Sequence, residues 1–285
     1  MIRTLYIAAV CCLFLMQAGC KEPKQEPVWD DVKIGDLAGH DPNESPEANL
    51  LRTIDINVLV YEIPAENIDK LTKISNQLFV RPLRLTNYPA FSDNSFFVRF
   101  GPGDSPDDLL SETLSKLRAA GGQKATNVSI MLSSGQSETF IITGIDGPRT
   151  VYFIGQSGEK EGARIGPGII GLRIRTDKIE GVSGVCKVVV YPVFSPLIQS
   201  AVPKLDERAK LREFQFNAAA FGLNMSPGDF VLFGPEEFLG DRATLGFLLF
   251  SNPRGSMFLS EGENKLPELK PAVRVYLFVC TRISD

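Results

Sequence analysis

Apolar and polar positions follow different patterns on either side of residue 51. Residues 21–49, KEPKQEPVWDDVKIGDLAGHDPNESPEAN, are polar, carry four prolines and show neither strand nor helix spacing. Such a segment cannot bury enough apolar area to offset the entropy that it would lose on ordering. The pattern therefore predicts a flexible polar linker over 20–50 and one folded domain over 51–285.

The folded part begins with a predicted strand and a predicted helix. Apolar residues alternate through 52–63, RTIDINVLVYEI, as expected for a half-buried strand. One face of this strand carries Ile54, Ile56, Val58 and Val60. The next segment, 65–78, repeats apolar residues at helical spacing and predicts a helix.

A second predicted helix occupies 105–122, SPDDLLSETLSKLRAAGG. Ser105 is the expected N-cap, and Pro106 suits the first helical position. The aspartates at 107–108 favour the positive end of the helix dipole. Gly121 and its neighbouring glycine are expected to end the helix.

Strand patterns fill the remainder of the chain. A turn at Ser134-Gly135 predicts a hairpin between 127–134 and 137–144. Residues 226–229, SPGD, have Pro and Gly where a type II turn requires them. Further strands are expected at 150–155, 171–176, 186–194, 212–223, 229–234, 244–250 and 272–280. Together these elements predict an α+β fold, with two early helices packed on a mainly antiparallel β-sheet.

The N-terminus resembles a bacterial lipoprotein signal. Arg3 precedes an apolar run over 5–16, too short for a typical membrane-spanning helix. Small residues then lead to Cys20, as in a lipobox, although position 17 is Gln where Leu is usual. The resemblance implies a signal peptide over 1–19 and lipidation of Cys20, which would anchor the protein at the outer membrane facing the periplasm. The alternative is ordinary cleavage near Ala18, with Cys20 incidental.

Five cysteines occur in the chain. Cys11 and Cys12 would leave with the signal, and Cys20 would carry lipid. Cys186 and Cys280 lie in predicted strands and could form a disulfide in an oxidising periplasm. Two buried free cysteines are the alternative, and the sequence does not choose between them.

Charge and candidate catalytic residues argue against several functions. Lys+Arg number 30 against 34 Asp+Glu, so the basic excess of a general nucleic-acid binder is missing. Residues 166–171, GPGIIG, match a dinucleotide-binding spacing, but a strand pattern follows where that site needs a helix. His40, the only histidine, falls in the predicted linker, where a catalytic or zinc site could not hold it rigidly. The adjacent pair Glu236–Glu237 should point apart, whereas glycosidase chemistry needs two converging carboxylates. We therefore expect a non-enzymatic protein without cofactor or metal.

The succession of segments resembles the C-terminal β-domain of bacterial secretins, the ring-forming outer-membrane channels of secretion and pilus systems. In order, the similar segments are IDINVLVYEI (54–63), LLSETLSKLRAAGG (109–122), VSIMLSSGQSETFIITG (128–144), 168–194, LNMSPGDFVLFGPEEF (223–238) and PAVRVYLFVCTRI (271–283). The resemblance implies a degenerate secretin-like sheet lacking the family's N-terminal ring domains.

These observations lead to one main functional hypothesis and two alternatives. The main hypothesis is a lipid-anchored cell-envelope protein acting in assembly or binding. Its expected partners are the membrane, through the anchor, and either a second copy or another envelope protein, but no nucleic acid. The first alternative is a channel-forming secretin homologue. The second is a periplasmic carbohydrate-binding or hydrolytic β-domain, which would need a pocket gathering Glu236, Glu237 or Asp241 with exposed aromatic side chains.

Overall fold

The structure is a computed structural model that describes residues 53–105, 108–197, 213–259 and 266–284. The expected signal peptide, Cys20, the linker and His40 lie outside these ranges. Strands account for 54% of the structure and helices for 18%, so the fold is mainly β. The antiparallel character is confirmed, but the strands form two principal sheets rather than one.

Sheet I contains the first and last strands of the domain at its centre. Its strand order is β3-β12-β14-β1-β4, and β13 also pairs with β14. Its strands are β1 (Thr53–Pro64), β3 (Phe96–Gly101), β4 (Gln123–Ser133), β12 (Phe230–Pro235), β13 (Ser251–Phe258) and β14 (Glu268–Ile283). The strands predicted at 52–63, 229–234 and 272–280 are thus confirmed.

Sheet II has the order β2-β11-β9-β8-β5, with β10 paired to β9. Its strands are β2 (Arg84–Leu85), β5 (Ser137–Ile145), β8 (Gly168–Lys178), β9 (Cys186–Pro196), β10 (Phe214–Gln215) and β11 (Phe221–Met225). A separate two-stranded sheet consists of β6 (Arg149–Ile154) and β7 (Lys160–Ile165).

Two of the four α-helices in the described ranges were predicted from the sequence. The helices are α1 (Ile68–Ser75), which follows a 3₁₀ turn at Ala65–Asn67, α2 (Tyr88–Asp93), α3 (Leu109–Ala119) and α4 (Leu245–Phe250). The helices predicted within 65–78 and 105–122 are confirmed as α1 and α3. Helix α2 was not predicted.

Two strand predictions were wrong. Residues 245–250 form α4, whose six residues are all buried. A short apolar run on its own does not distinguish a buried helix from a buried strand. The strand predicted over 212–223 is divided by a 3₁₀ turn at Asn217–Ala219 into β10 and β11.

The predicted cap of α3 was also wrong. Asp108, rather than Ser105, is the N-cap, and its Oδ1 accepts a hydrogen bond from Ser111 N at 3.3 Å. Ser105 instead offers its carbonyl oxygen to the Asp108 N–H. At the other end, Gly121 adopts a φ of 81°, as expected for a glycine that ends a helix.

The central strands of sheet I are buried on both faces, which gives the domain three layers. One core lies between sheets I and II and receives the predicted face of β1, from Ile54 to Val60. A second core lies between the opposite face of sheet I and helices α1 and α3, with Ile63, Leu71 and Leu117 fully buried. Burial on both faces explains why the sequence of β14 is a nearly continuous run of apolar residues.

The predicted hairpin at Ser134-Gly135 does not form. The turn is present and Gly135 has a φ of 82°, but β4 pairs with β1 in sheet I while β5 pairs with β8 in sheet II. The chain therefore changes sheet at this turn. The turn predicted at 226–229 is confirmed, because Gly228 has a φ of 94° and Asp229 N donates to Ser226 O at 3.0 Å.

Candidate functional site

The most extended open surface of the backbone is the outer edge of β4. This strand has eleven residues, and no other strand in the described ranges pairs with its outer side. It contains no proline, and its single charged residue, Lys124, lies beyond a register shift against β1 at 124–126, so the regular part of the edge is 126–133. Long edge strands without such protection are templates for pairing with another chain.

The pairing of β1 shows which backbone groups of β4 face outward. Successive residues of an antiparallel strand direct their N–H and C=O groups to opposite neighbours. Ser284 N donates to Thr53 O at 2.8 Å, so Thr53 faces β14 and Ile54 faces β4. Following the register from Ile54 along the strand, Val128 bonds to β1, whereas Ser129 directs its backbone groups outward.

The edge of β5 lies on the same side of the sandwich, because the 134–136 turn joins the two strands. Exposed apolar side chains occur on both edge strands, with Met131 60% and Ile141 59% exposed. We call this side, which is formed by the outer edges of β4 and β5, the open side. It offers backbone hydrogen-bonding groups and apolar contact area together.

The opposite edge of sheet I is blocked. Phe79 and Phe100 exchange two backbone hydrogen bonds, at 2.9 and 2.7 Å, on the outer side of β3. The Arg99 guanidinium then donates to Val98 O at 3.0 Å, and α2 lies against the strand. Because β3 is capped by its own chain, the open side is a distinct feature of the domain.

A cavity of about 200 Å³ lies beside the blocked edge. Its apolar wall consists of Leu83, Leu85, Phe91, Phe96 and Val98. Polar groups are contributed by Arg99 and Glu236, and the half-exposed Tyr88 ring stands at the rim with its hydroxyl donating to Leu83 O at 3.0 Å. The cavity could therefore hold a small molecule with an apolar face and polar groups.

The pKa values of the two charged groups at this cavity are shifted from their ordinary values. Partial burial lowers the pKa of Arg99, although attraction to Glu236 acts in the opposite direction. Partial burial raises the pKa of Glu236, Arg99 lowers it, and the neighbouring Glu237 raises it. The two side chains thus place a cation and a carboxylate at the cavity, with Arg99 half-buried and Glu236 exposed to solvent.

The three acidic residues singled out from the sequence do not converge. Glu236 lines the cavity, but Glu237 accepts a hydrogen bond from Ser95 Oγ at 2.8 Å. Asp241 Oδ1 accepts from Ala243 N at 2.9 Å, in the turn before α4. Sequence reasoning missed Arg99 and Tyr88, since no local motif relates these residues to Glu236.

Cys186 and Cys280 are brought into contact across the main core. Cys186 begins β9 in sheet II, and Cys280 lies on β14 in sheet I; both are fully buried free cysteines. Met225 pairs with Cys186 and leads directly into the 226–229 turn, whose Gly228 N and Asp229 O bond to the backbone of Cys280. Hydrogen bonding to Cys186 and burial raise the pKa of the Cys280 thiol.

The remaining sequence motifs and general features do not add a site. GPGIIG runs from the β7–β8 loop into β8, as expected for a connection between strands. Within the described ranges, no group of three or more His, Cys, Asp or Glu side chains is placed to hold a metal ion. No helix in the described part of the chain is both long and apolar enough to cross a membrane.

Comparison of the chain with protein-family models, with curated proteins and with solved structures gives no match.

Proposed function

We propose that the chain is a non-enzymatic, lipid-anchored cell-envelope protein that assembles with a second copy of itself by pairing at β4. The observation that carries this proposal is the unprotected outer edge of β4, Gln123–Ser133. Strand addition at such an edge obtains affinity from main-chain hydrogen bonds. The N-terminal resemblance to a lipoprotein signal supports the anchor at Cys20.

The chemistry of β4 suits pairing with an identical strand. In an antiparallel pair centred on Ser129, the outward-facing backbone groups of one strand meet those of the other about a twofold axis. Residue numbers of facing positions then sum to 258 over the regular part of the strand, which places Lys124 far from the twofold axis at Ser129. The single charge of the strand therefore does not face its own copy, and no like-charge repulsion opposes the dimer.

The domain in this proposal is a degenerate secretin-like domain. The order of the segments that resemble secretins supports it, together with the packing of the early helices on the sheet that holds the first and last strands. A channel-forming homologue remains the alternative within this family. The mass of the assembly separates the two, because a channel requires a closed ring of many subunits.

Two proline substitutions test pairing at β4. Ser129→Pro removes an outward-facing N–H and only one exposed hydrogen bond to β1, from Ser129 Oγ to Asn57 Oδ1. We therefore expect a monomer with nearly unchanged denaturation, whereas the detergent-extracted wild type sediments as a dimer. Val128→Pro is the matched control: it removes an N–H that bonds to β1 and should destabilise the fold itself. A monomeric wild type, or a Ser129→Pro variant that remains dimeric, would contradict the proposal. A large closed ring would favour the channel.

The anchor is tested separately by metabolic labelling with a radioactive fatty acid. We expect label on the wild type and none on Cys20→Ser. An unlabelled wild type, or label that survives the substitution, would contradict lipidation. Dimer formation and lipidation can therefore fail independently.

A second candidate function is carbohydrate binding, which the cavity beside β3 favours. The exposed face of Tyr88 could stack on a sugar ring, while Glu236 accepts and Arg99 donates hydrogen bonds to hydroxyl groups. Calorimetric titration with oligosaccharides tests it: Tyr88→Ala should abolish binding and Tyr152→Ala, an exposed tyrosine on β6, should not. Absence of any heat of binding would end this candidate.

A further inference from the structure

The strongest unassigned pair of reactive groups is the contact between Cys186 and Cys280. We propose that this pair is an oxidation site, which closes into a single disulfide joining sheet I to sheet II. The structure holds the two residues as fully buried free thiols of the same core between the sheets. The inference concerns the covalent state of the domain and goes beyond the proposed assembly, while the oxidising compartment rests on the proposed export.

Both cysteines are held in place by backbone pairing. Cys280 donates from N to Asp229 O at 2.9 Å and accepts at its carbonyl from Gly228 N at 2.7 Å. Cys186 lies opposite Lys178 on β8 and Met225 on β11. Because the two positions belong to different sheets, their side chains meet only when the sandwich is closed. The short segment 225–229 therefore pairs with both cysteines and keeps the two backbone positions close together, as a disulfide requires.

The surroundings of the pair determine when the bond can form. Both thiols are fully buried, so a disulfide-bearing oxidant has little access to either of them once the domain has folded. Hydrogen bonding to Cys186, burial and the nearby Asp229 carboxylate also raise the pKa of the Cys280 thiol. Asp229 is itself fixed, since its two oxygens accept from Gly103 N at 2.8 Å and Ser226 N at 2.7 Å. A reduced domain that has already folded should therefore be oxidised slowly, and the bond should form as the sheets come together.

The reaction needs a disulfide-bearing oxidant, either a small disulfide or a thiol–disulfide oxidoreductase. One cysteine thiolate attacks a sulfur of the oxidant, forming a mixed disulfide and releasing the first thiol. The second cysteine thiolate attacks the mixed disulfide at the protein sulfur and releases the second thiol. The two cysteines lose two electrons and two protons, and the oxidant gains them as two thiols.

The expected consequence is higher stability of the oxidised domain. The bond would close a loop between positions 186 and 280 that contains β9, β10 and β11 of sheet II and β12 and β13 of sheet I. Closing a long loop restricts the unfolded chain more than the folded one. Reduction should therefore lower the denaturation midpoint of the wild type and leave that of the Cys186→Ala, Cys280→Ala double variant unchanged.

Refolding of the full-length chain with oxidised glutathione tests the pair directly. The refolded chain is quenched with acid and alkylated in denaturant, before and after reduction. We expect the alkylating reagent to label Cys186 and Cys280 only after reduction. Without reduction, proteolysis should yield one pair of peptides linked through these two residues. Peptide mapping separates them from Cys11, Cys12 and Cys20. Label on both residues without reduction, or linkage of either to another cysteine, would overturn the proposal.

The same mapping on protein extracted from cells tests the compartment and not the geometry. A linked pair after refolding but free thiols in the cell-derived protein would retain the oxidation site and contradict the proposed export.

Pre-folded, reduced protein provides a further measurement: we expect oxidised glutathione to link its cysteines at least tenfold more slowly than in the refolding chain. Equal rates would contradict formation of the bond during closure of the sheets.

Discussion

Glu62 on β1 and Arg274 on β14 form an ion pair in which Oε1 and Nε are 2.9 Å apart. Asn252 also donates to Glu62 Oε1, at 3.2 Å, and Ser256 donates to Oε2. Burial by itself would raise the pKa of Glu62, but the hydrogen bonds from Ser256 and Arg274 hold it below its ordinary value of 4.5. This carboxylate therefore ties β1, β13 and β14 together only while it is ionised.

The first prediction concerns the pH dependence of stability. Because the pKa of Glu62 is lower in the folded state, its contribution is complete above about 4.5 and is lost as the pH falls through the folded value. We expect Glu62→Gln to reduce the free energy of unfolding by about 1–3 kcal/mol at pH 7, and by progressively less below pH 4.5. Urea denaturation at several pH values measures the difference.

The control for this prediction is Glu66→Gln, which breaks the ion pair between Glu66 and Lys270. The Glu66 side chain is 61% exposed. Exposed pairs contribute about 0–1 kcal/mol. Equal losses for the two variants, or a Glu62 effect that does not change with pH, would contradict the role assigned to Glu62.

The second prediction concerns the close approach of two glycines. A Cβ on Gly103 would lie 2.2 Å from the Gly228 carbonyl carbon, a backbone atom that cannot move aside as a side chain could. We expect Gly103→Ala to destabilise the domain by about 1–3 kcal/mol. Gly147→Ala, where nothing lies within 4 Å of the added Cβ, should change stability by less than about 0.5 kcal/mol. Thermal denaturation of the two variants compares them, and a larger loss at Gly147 would contradict the assigned contact.

The third prediction tests the start of α4. Thr244 Oγ1 accepts a hydrogen bond from Phe247 N at 3.2 Å, which caps the helix that the sequence pattern misassigned as a strand. We expect Thr244→Ala to destabilise the domain by about 1 kcal/mol and Thr244→Ser to retain most of the stability. Denaturant unfolding measures both. If the alanine and serine variants lose stability equally, the hydroxyl group is not acting as a cap.

The fourth prediction concerns the aromatic cluster in the core between the sheets. Phe233 is fully buried, and its ring centroid lies 4.9 Å from that of Phe250 and 5.4 Å from that of Phe221. We expect Phe233→Ala to lower the free energy of unfolding by about 3–5 kcal/mol because it leaves a cavity. Phe79→Ala, which truncates a side chain that is 52% exposed, should have a much smaller effect. A similar loss for the two variants in chemical denaturation would contradict the burial of Phe233.

Local patterns were sufficient for elements with long, regular periodicity. The alternation from Ile54 to Val60 predicted both β1 and its buried face, and the leucines of 109–117 predicted α3. Turn chemistry was equally local, since glycine at position 228 supplies the positive φ of a type II turn. These features depend on interactions within a few residues of sequence.

The candidate sites were much less accessible to sequence reasoning. Arg99 and Glu236 meet at one cavity through the pairing of β3 with β12, and no spacing in the chain relates them. The sequence indicated that Cys186 and Cys280 lie in strands, but placement in facing sheets was needed to bring the thiols into contact. The open edge of β4 likewise depends on which strands pair with it.

By itself, the sequence predicted two early helices and a mainly antiparallel arrangement of strands within residues 51–285, and the antiparallel strands and both helices are present. It did so because periodicity and turn residues act over short distances. Only the tertiary structure decided that β4 and β5 belong to different sheets, that 245–250 is a helix, and that β4 keeps a free edge. A strand's alternating pattern specifies which face is buried but not its partner, and partner choice comes from long-range packing of the whole core.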